Sequence, residues 1–241
     1  MMKTIKILAL LVLTVTTISC EWDININKVD GNGNVQTQER DNIGNFDRVK
    51  GSAGLQVFLK QGSEQRVVVE ADENLLPIIE TYVKNGMLLI GVDGNIGRSS
   101  AKKVYVTYTG LSEIRASSGS HVIFQNEIKN EDLTLDASSG AMLEGSVFSK
   151  KLYLEASSGG HVEVSGKTKD LRSKASSGGY IDAENVLAST CNAKASSGGH
   201  IEVNVKDNLE AKASSGGQIN YHGNPSVKSE SKNYSGDVRK M

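Results

Sequence analysis

A chain of 241 residues has room for one all-β domain or two small ones, and for a sizeable core without disulfide staples. With 38% hydrophobic residues and 25 glycines, disorder over most of the length is excluded, and aromatics at only 5% leave the core to small aliphatic side chains. The formal net charge of −1, more negative still without a leader carrying Lys3 and Lys6, excludes the broad basic surface that a nucleic-acid partner needs.

Residues 1–19 read as a signal peptide. Lys3 and Lys6 form a short positive region, and the apolar run from Ile7 to Val15 is too brief to span a bilayer. The run ends at Thr16-Thr17-Ile18-Ser19-Cys20. Its Ser-Cys pair resembles a bacterial lipoprotein cleavage site, although Thr17 and Ile18 depart from the usual lipobox and ordinary secretory cleavage nearby is the alternative. On the lipoprotein reading Cys20 carries the lipid and the protein is exported to the cell envelope, held in the outer membrane and facing either the periplasm or the surface. Cys191 is then the one thiol left, and no intramolecular disulfide forms. Its place in a column of leucines marks it as a buried small hydrophobe. Residues 20–34, rich in Asn and Gly, read as the lipidated Cys and a tether.

A single domain is expected from residue 35 to 241. Over 35–110 it is strand-rich but irregular, with runs at Leu55 to Lys60, Arg66 to Glu70, Met87 to Val92 and Lys103 to Tyr108. One short helix is expected near 74–84, where Asn74 can cap, Pro77 falls in the first turn and Gly86 can close the end.

From 111 to 241 the chain repeats. Ala-Ser-Ser-Gly begins at Ala116, Ala137, Ala156, Ala175, Ala195 and Ala213, with degenerate copies at Gly51-Ser52-Ala53-Gly54 and Asn233-Tyr234-Ser235-Gly236. Before each alanine, apolar residues alternate (Leu133, Leu152, Leu171, Cys191 and Leu209 form one column), and after the turn a second alternating run carries Val122, Leu143, Val162, Ile181, Ile201 and Ile219. A unit of about 20 residues cannot bury its own apolar face, whereas stacked units form a continuous core. Antiparallel hairpins share the alternation but do not need the same residue at the same place in every repeat. The sequence therefore predicts an all-β fold, a right-handed parallel β-helix or β-roll solenoid of about 20 residues per coil. The second Ser of each motif is expected to turn inward and form a hydroxyl ladder. The Gly after it supplies an unusual backbone angle, and the second Gly a tight corner.

Aligned on the alanine, His121, Met142, His161, Tyr180, His200 and Gln218 occupy one corner position. The histidines stand two coils apart, roughly 9 to 10 Å between Cα atoms, too far to share a zinc ion, so no metal is assigned to them. The stripe is either a row of solvated corner residues or a contact surface for sugar rings or a protein. Two positions on, Glu144, Glu163, Asp182 and Glu202 form an outward acidic column. Their mutual repulsion is small when solvated, and a hard cation such as Ca²⁺ is the functional alternative. Arg115, Asp136, Glu155, Lys174, Lys194 and Lys212 read as a solvated face with local pairing. No phosphate loop, dinucleotide fingerprint, zinc motif or nucleophile–base pair is present, so no cofactor is expected, and six equivalent serines are corner residues rather than nucleophiles.

The motif array, Gly31 to Val35, Phe46-Asp47-Arg48-Val49 and the Gly-Asp-Val at Gly236 to Val238 together resemble a family of bacterial envelope proteins, the putative auto-transporter adhesin, head GIN domain family, also known as DUF2807. The resemblance runs from about Phe46 to the C-terminus. It implies a β-solenoid and a lipoprotein or secreted location, and brings no catalytic or binding residues. The expected function is a non-enzymatic envelope lipoprotein presenting an adhesive or recognition surface to a glycan or protein. The alternatives are a structural component that assembles with itself as a homo-oligomer or with another envelope protein, and a carbohydrate-active β-helix enzyme.

Overall fold

The computed structural model describes residues 28–231 and 235–241; residues 1–19, expected to be a signal peptide, and Cys20 lie outside them. Strands Ile128–Ser138, Met142–Ser157, His161–Ser176, Tyr180–Ala195 and His200–Ala213 stack parallel. Ala137 lies beside Ala156, Ala156 beside Ala175, Ala175 beside Ala195 and Ala195 beside Ala213. The motif spacing is thus the length of one coil, and the fold is the expected β-solenoid. In-register stacking puts like on like, so both inward columns named above are buried from end to end, each large aliphatic contributing about 1.5–3 kcal/mol.

The repeated corner is a tight turn. In Ser176-Ser177-Gly178-Gly179 both central residues have positive φ, 50° and 72°, and Gly179 N–H donates to Ser176 O at 2.9 Å, the arrangement of a type I′ turn. The five other intact copies repeat it. The second serine is therefore exposed and left-handed rather than inward, which corrects the expected hydroxyl ladder. The ladder at this corner belongs to the backbone: Gly119 N–H donates to Ser139 O, Gly140 to Ser158 O, Gly159 to Ser177 O and Gly178 to Ser197 O. The two glycines differ in role. Gly178 supplies the angle and has open space where a Cβ would stand, whereas a Cβ on Gly179 would overlap the carbonyl of Ala156 in the preceding coil.

Each coil has a third inward run that the alternation did not reveal. Ile128, Val147, Val186 and Val205 are buried there, together with Ser149 and Thr168. It is here, and not at the Ser-Ser-Gly corner, that hydroxyls of adjacent coils meet, Ser149 Oγ donating to Thr168 Oγ1 at 3.2 Å. Unequal coil lengths are absorbed beside this run, by register shifts between Glu163 and Ser165 and between Ala183 and Leu187.

The N-terminal region is wound differently. Arg48–Gly51 and Gln56–Gln61 form a coil that pairs on one side with Glu113–Ala116 and His121–Phe124, and on the other with Met87–Val92 and Lys102–Tyr108. Chain order and spatial order differ, since the later segment 87–108 lies outside the earlier one. Its outer edge is closed by antiparallel strands, Ile79–Lys84 on Met87–Val92 and Arg66–Asp72 on Lys102–Tyr108, with Val35–Glu39 beyond. Irregular coils alone do not describe this part.

No α-helix forms at 74–84. The segment holds one 3-10 turn, Glu73–Leu75, and then the strand Ile79–Lys84. Ile79, Thr81 and Val83 alternate with exposed Glu80, Tyr82 and Lys84, and β-branched residues at period two favour a strand. Asn85 and Gly86, with φ of 52° and 75°, form the hairpin turn that Asn-Gly favours. Nor do residues 28–34 hang free as a tether. Lys28–Val29 pairs with Asn95–Ile96, and Asn32 N–H donates to Asn74 Oδ1 at 2.9 Å.

Candidate functional face

The short run after each Ser-Ser-Gly corner turns its odd members outward, because Val122, Leu143, Val162, Ile181 and Ile201 between them point into the core. Parallel register then aligns the exposed ones. His121 lies beside Met142, Met142 beside His161, His161 beside Tyr180, Tyr180 beside His200 and His200 beside Gln218. The structure brings the whole stripe together and extends it to Gln56 and Asp237 at its ends.

These side chains pack on one another rather than splaying into water. The Tyr180 ring meets His161 edge-on at 4.8 Å between centroids and lies 5.0 Å from His200. Of the six, Gln218 is exposed and the others are half-buried. His200 Nδ1 sits 3.2 Å from Gln218 Oε1, so the contacts run from coil to coil.

The acidic column lies alongside. Glu144, Glu163, Asp182 and Glu202 occupy successive coils, and two of the three stripe histidines lean on them: His200 Nε2 is 2.9 Å from Glu202 Oε1 and His121 Nε2 is 3.2 Å from Glu144 Oε1. Burial first, and then the charges of Glu202, Asp182 and Glu184, push the Tyr180 phenol up to about 12. Glu184 was not among the expected residues. It belongs to the coil lengthened by a register shift, and it brings a carboxylate oxygen within 4.8 Å of those of Asp182 and Glu202. His222 stands 3.6 Å away from it on the far side. Partly exposed carboxylates at this spacing are compatible with solvation.

Next to Glu144 and Glu163 the face is recessed by a groove of about 410 Å³. Gly145 lies in its lining, where a side chain would run into the Phe124 ring. The other charged column behaves as a paired, solvated surface, with Lys174 Nζ 2.6 Å from Glu155 Oε1. Cys191 is buried, and burial pushes its thiol up to about 12, which leaves it unreactive.

A parallel solenoid with tight corners and one face of stacked imidazole, phenol and carboxylate columns defines a protein that presents a surface rather than a deep cleft. The chain belongs to the family described as "Putative auto-transporter adhesin, head GIN domain", whose model matches residues 45–225. Among solved structures it is similar to a putative adhesin from Bacteroides fragilis NCTC 9343 (19% identity, 88% of this chain and 100% of that one, TM-score 0.81). A putative adhesin from Parabacteroides distasonis ATCC 8503 gives 20% identity, 89% and 100% coverage and a TM-score of 0.73. A protein of the same organism described as a putative lipid binding protein gives 19%, 88% and 96%, and 0.63. At such identities the likeness is one of fold. Among curated proteins none matches. The family and these neighbours are described as adhesins or as lipid-binding, not as enzymes, and an adhesin family points to an extracellular or envelope protein.

Proposed function

We propose that this chain is a non-enzymatic recognition module of the cell envelope, lipid-anchored in the outer membrane through Cys20, that binds a glycan along the face from His121 to Gln218. The observation that carries this reading is the packed run His161–Tyr180–His200 beside the carboxylates of Asp182 and Glu202. Rings offer flat apolar area to the C–H face of a sugar, and neighbouring carboxylates accept its hydroxyl protons. Repetition about every 4.8 Å lets weak contacts with a polymer add up through effective concentration. The tight turns from Ala116 to Tyr221 leave no long loops to enclose a substrate, which favours binding over catalysis.

The test is a glycan array probed with the protein and with a Tyr180→Ala, His161→Ala, His200→Ala triple variant. The expected result is a set of glycans bound by the parent and lost by the variant at an unchanged melting temperature. Equal binding by both removes this face, and hydrolysis of a bound glycan would restore the enzyme reading.

A second reading, assembly with another copy or another envelope protein, is favoured by the C-terminal end. Among the described residues, Ser226–Ser231 and Asp237–Lys240 each pair on one side only, and such an edge is a template for a further strand. Sedimentation that shows a concentration-dependent dimer would support it.

A further inference from the structure

The third run of each coil carries an outward column unlike any other on the molecule. Lys129 lies beside Phe148, Phe148 beside Lys167 and Lys167 beside Leu187, so cationic and large apolar side chains alternate from coil to coil. Within the regular array, Phe148 (50% exposed) and Leu187 (43%) are the large hydrophobics left open to water; the others among the described residues are Val29, Val35 and Tyr82 before it and Val227 and Met241 after it. Both fall in this one column. Lys150 and Lys169 form the next column out, and Lys129, Phe148, Lys150, Lys167 and Lys169 border a groove of about 620 Å³.

Charge separates this patch from the rest of a slightly acidic chain. Lys129 and Lys150 have carboxylate neighbours, Glu127 at 3.3 Å and Glu131 at 3.6 Å. Lys167 and Lys169 form no ion pair among the described residues. Unneutralised ammonium groups beside exposed Phe and Leu are matched by a partner that is anionic at its surface and apolar just beneath.

We propose that this column is a docking surface for an anionic lipid bilayer, with Phe148 and Leu187 entering the boundary between headgroups and acyl chains and Lys129, Lys150, Lys167 and Lys169 reaching the lipid phosphates. Long lysine stems lie along apolar surface while their charged ends remain in the headgroup layer. An acidic polysaccharide satisfies the lysines and can stack a sugar face on Phe148, but it gives the aliphatic Leu187 no apolar layer to enter, so the bilayer is the better match. The column lies on a different run of the coil from His121 to Gln218. A molecule docked through it would keep that face free, and its adhesive reading is tested separately.

The experiment is co-sedimentation of the full chain with phosphatidylcholine vesicles, with and without phosphatidylglycerol. It is read as the ratio between the two for each variant against the parent, both of which carry the same residues 1–20. Attraction to an anionic surface is worth roughly 1 kcal/mol per lysine, so Lys167→Glu with Lys169→Glu is expected to lower partitioning onto the anionic vesicles at least about thirtyfold. Phe148→Ser with Leu187→Ser is expected to lower it about tenfold or more. All four positions are exposed, and unchanged melting temperatures confirm folding. Unaltered partitioning in either variant overturns the proposal. So does binding of polygalacturonate that depends on the lysines and is indifferent to Phe148 and Leu187, which would make the site one for an acidic polymer.

Discussion

The coils between Ala116 and Tyr221 are copies of one solution, while the region from Arg48 to Tyr108 uses the same corner under different constraints. In the array every coil meets an equivalent coil on both sides, so the same small residues recur at the same close approaches. At the N-terminal end, Gly51-Ser52-Ala53-Gly54 still makes the corner, with Ala53 and Gly54 at positive φ and Gly54 N–H donating to Ser118 O at 2.9 Å. Beyond it the stack has to stop. It does so by laying antiparallel strands on the outermost parallel ones, which hands the edge to Ile79–Lys84 and Val35–Glu39. The contrast teaches that repetition encodes contact between like neighbours and that the N-terminal end stops with a different, antiparallel grammar, whereas the C-terminal strands remain parallel and pair on one side only.

Substitutions can break that contrast in a graded way. The largest effect is expected at the second glycine of an inner corner. Gly179→Val has to displace the Ala156 carbonyl and should cost about 3 kcal/mol or more, seen as a fall in the urea midpoint of the whole array. A cost below 1 kcal/mol would mean that the coils are not in this close register. At the N-terminal cap, Gly86→Val strains one hairpin turn, with an expected cost of about 1–3 kcal/mol. Because solenoid stability is a sum of neighbouring terms, limited proteolysis should then cut first within 76–92 and leave the array intact; simultaneous loss of both regions would erase the distinction drawn between them.

The left-handed serine sharpens the account of the corner itself. Ser177→Gly should be neutral or slightly stabilising, whereas Ser177→Val should cost about 1–2 kcal/mol, measured by thermal unfolding. Cys191, whose thiol burial pushes up to about 12, should resist iodoacetamide at pH 8 in the folded protein and react once the array is unfolded; rapid labelling of the native state would place its column outside the core. The smallest effect belongs to the exposed Lys174–Glu155 pair, where Lys174→Ala should change stability by less than about 0.5 kcal/mol.

How far the residues foretold this depends on what kind of information each feature carries. Ala-Ser-Ser-Gly could be read because a corner that approaches its neighbour's backbone tolerates so few residues that the motif survives in nearly every coil. The site columns followed from the same register, so His121 to Gln218 and Glu144 to Glu202 were legible as neighbours. Their mutual packing was not, because spacing fixes Cα positions and not side-chain directions. The third inward run escaped because its column mixes Val147 with Gly166 and a register shift displaces Val186, which blurs any periodicity. Glu184 was missed for the same reason. Gly86 fits the end of a helix as well as a hairpin turn, although Ile79, Thr81 and Val83 alternate as in a strand: a glycine closes either element, and only the period before it discriminates. The inverted order of 48–61 and 87–108 left no local trace, since it is a matter of pairing between strands distant in the sequence. Phe148 and Leu187 passed unnoticed because a single exposed hydrophobic is ordinary; stacking made them a column.

The most direct test is a pair of cysteine couples in a background lacking Cys20 and Cys191. Glu155 and Lys174 lie side by side in adjacent coils, about 4.8 Å apart and well placed for a disulfide, whereas Glu155 and Arg172 are offset by two residues and stand roughly 8 Å apart, out of range. Under mild oxidation Glu155→Cys with Lys174→Cys should close to near completion and Glu155→Cys with Arg172→Cys should stay reduced. Equal closure of both, or closure of the second alone, would contradict parallel, in-register coils and everything built on them.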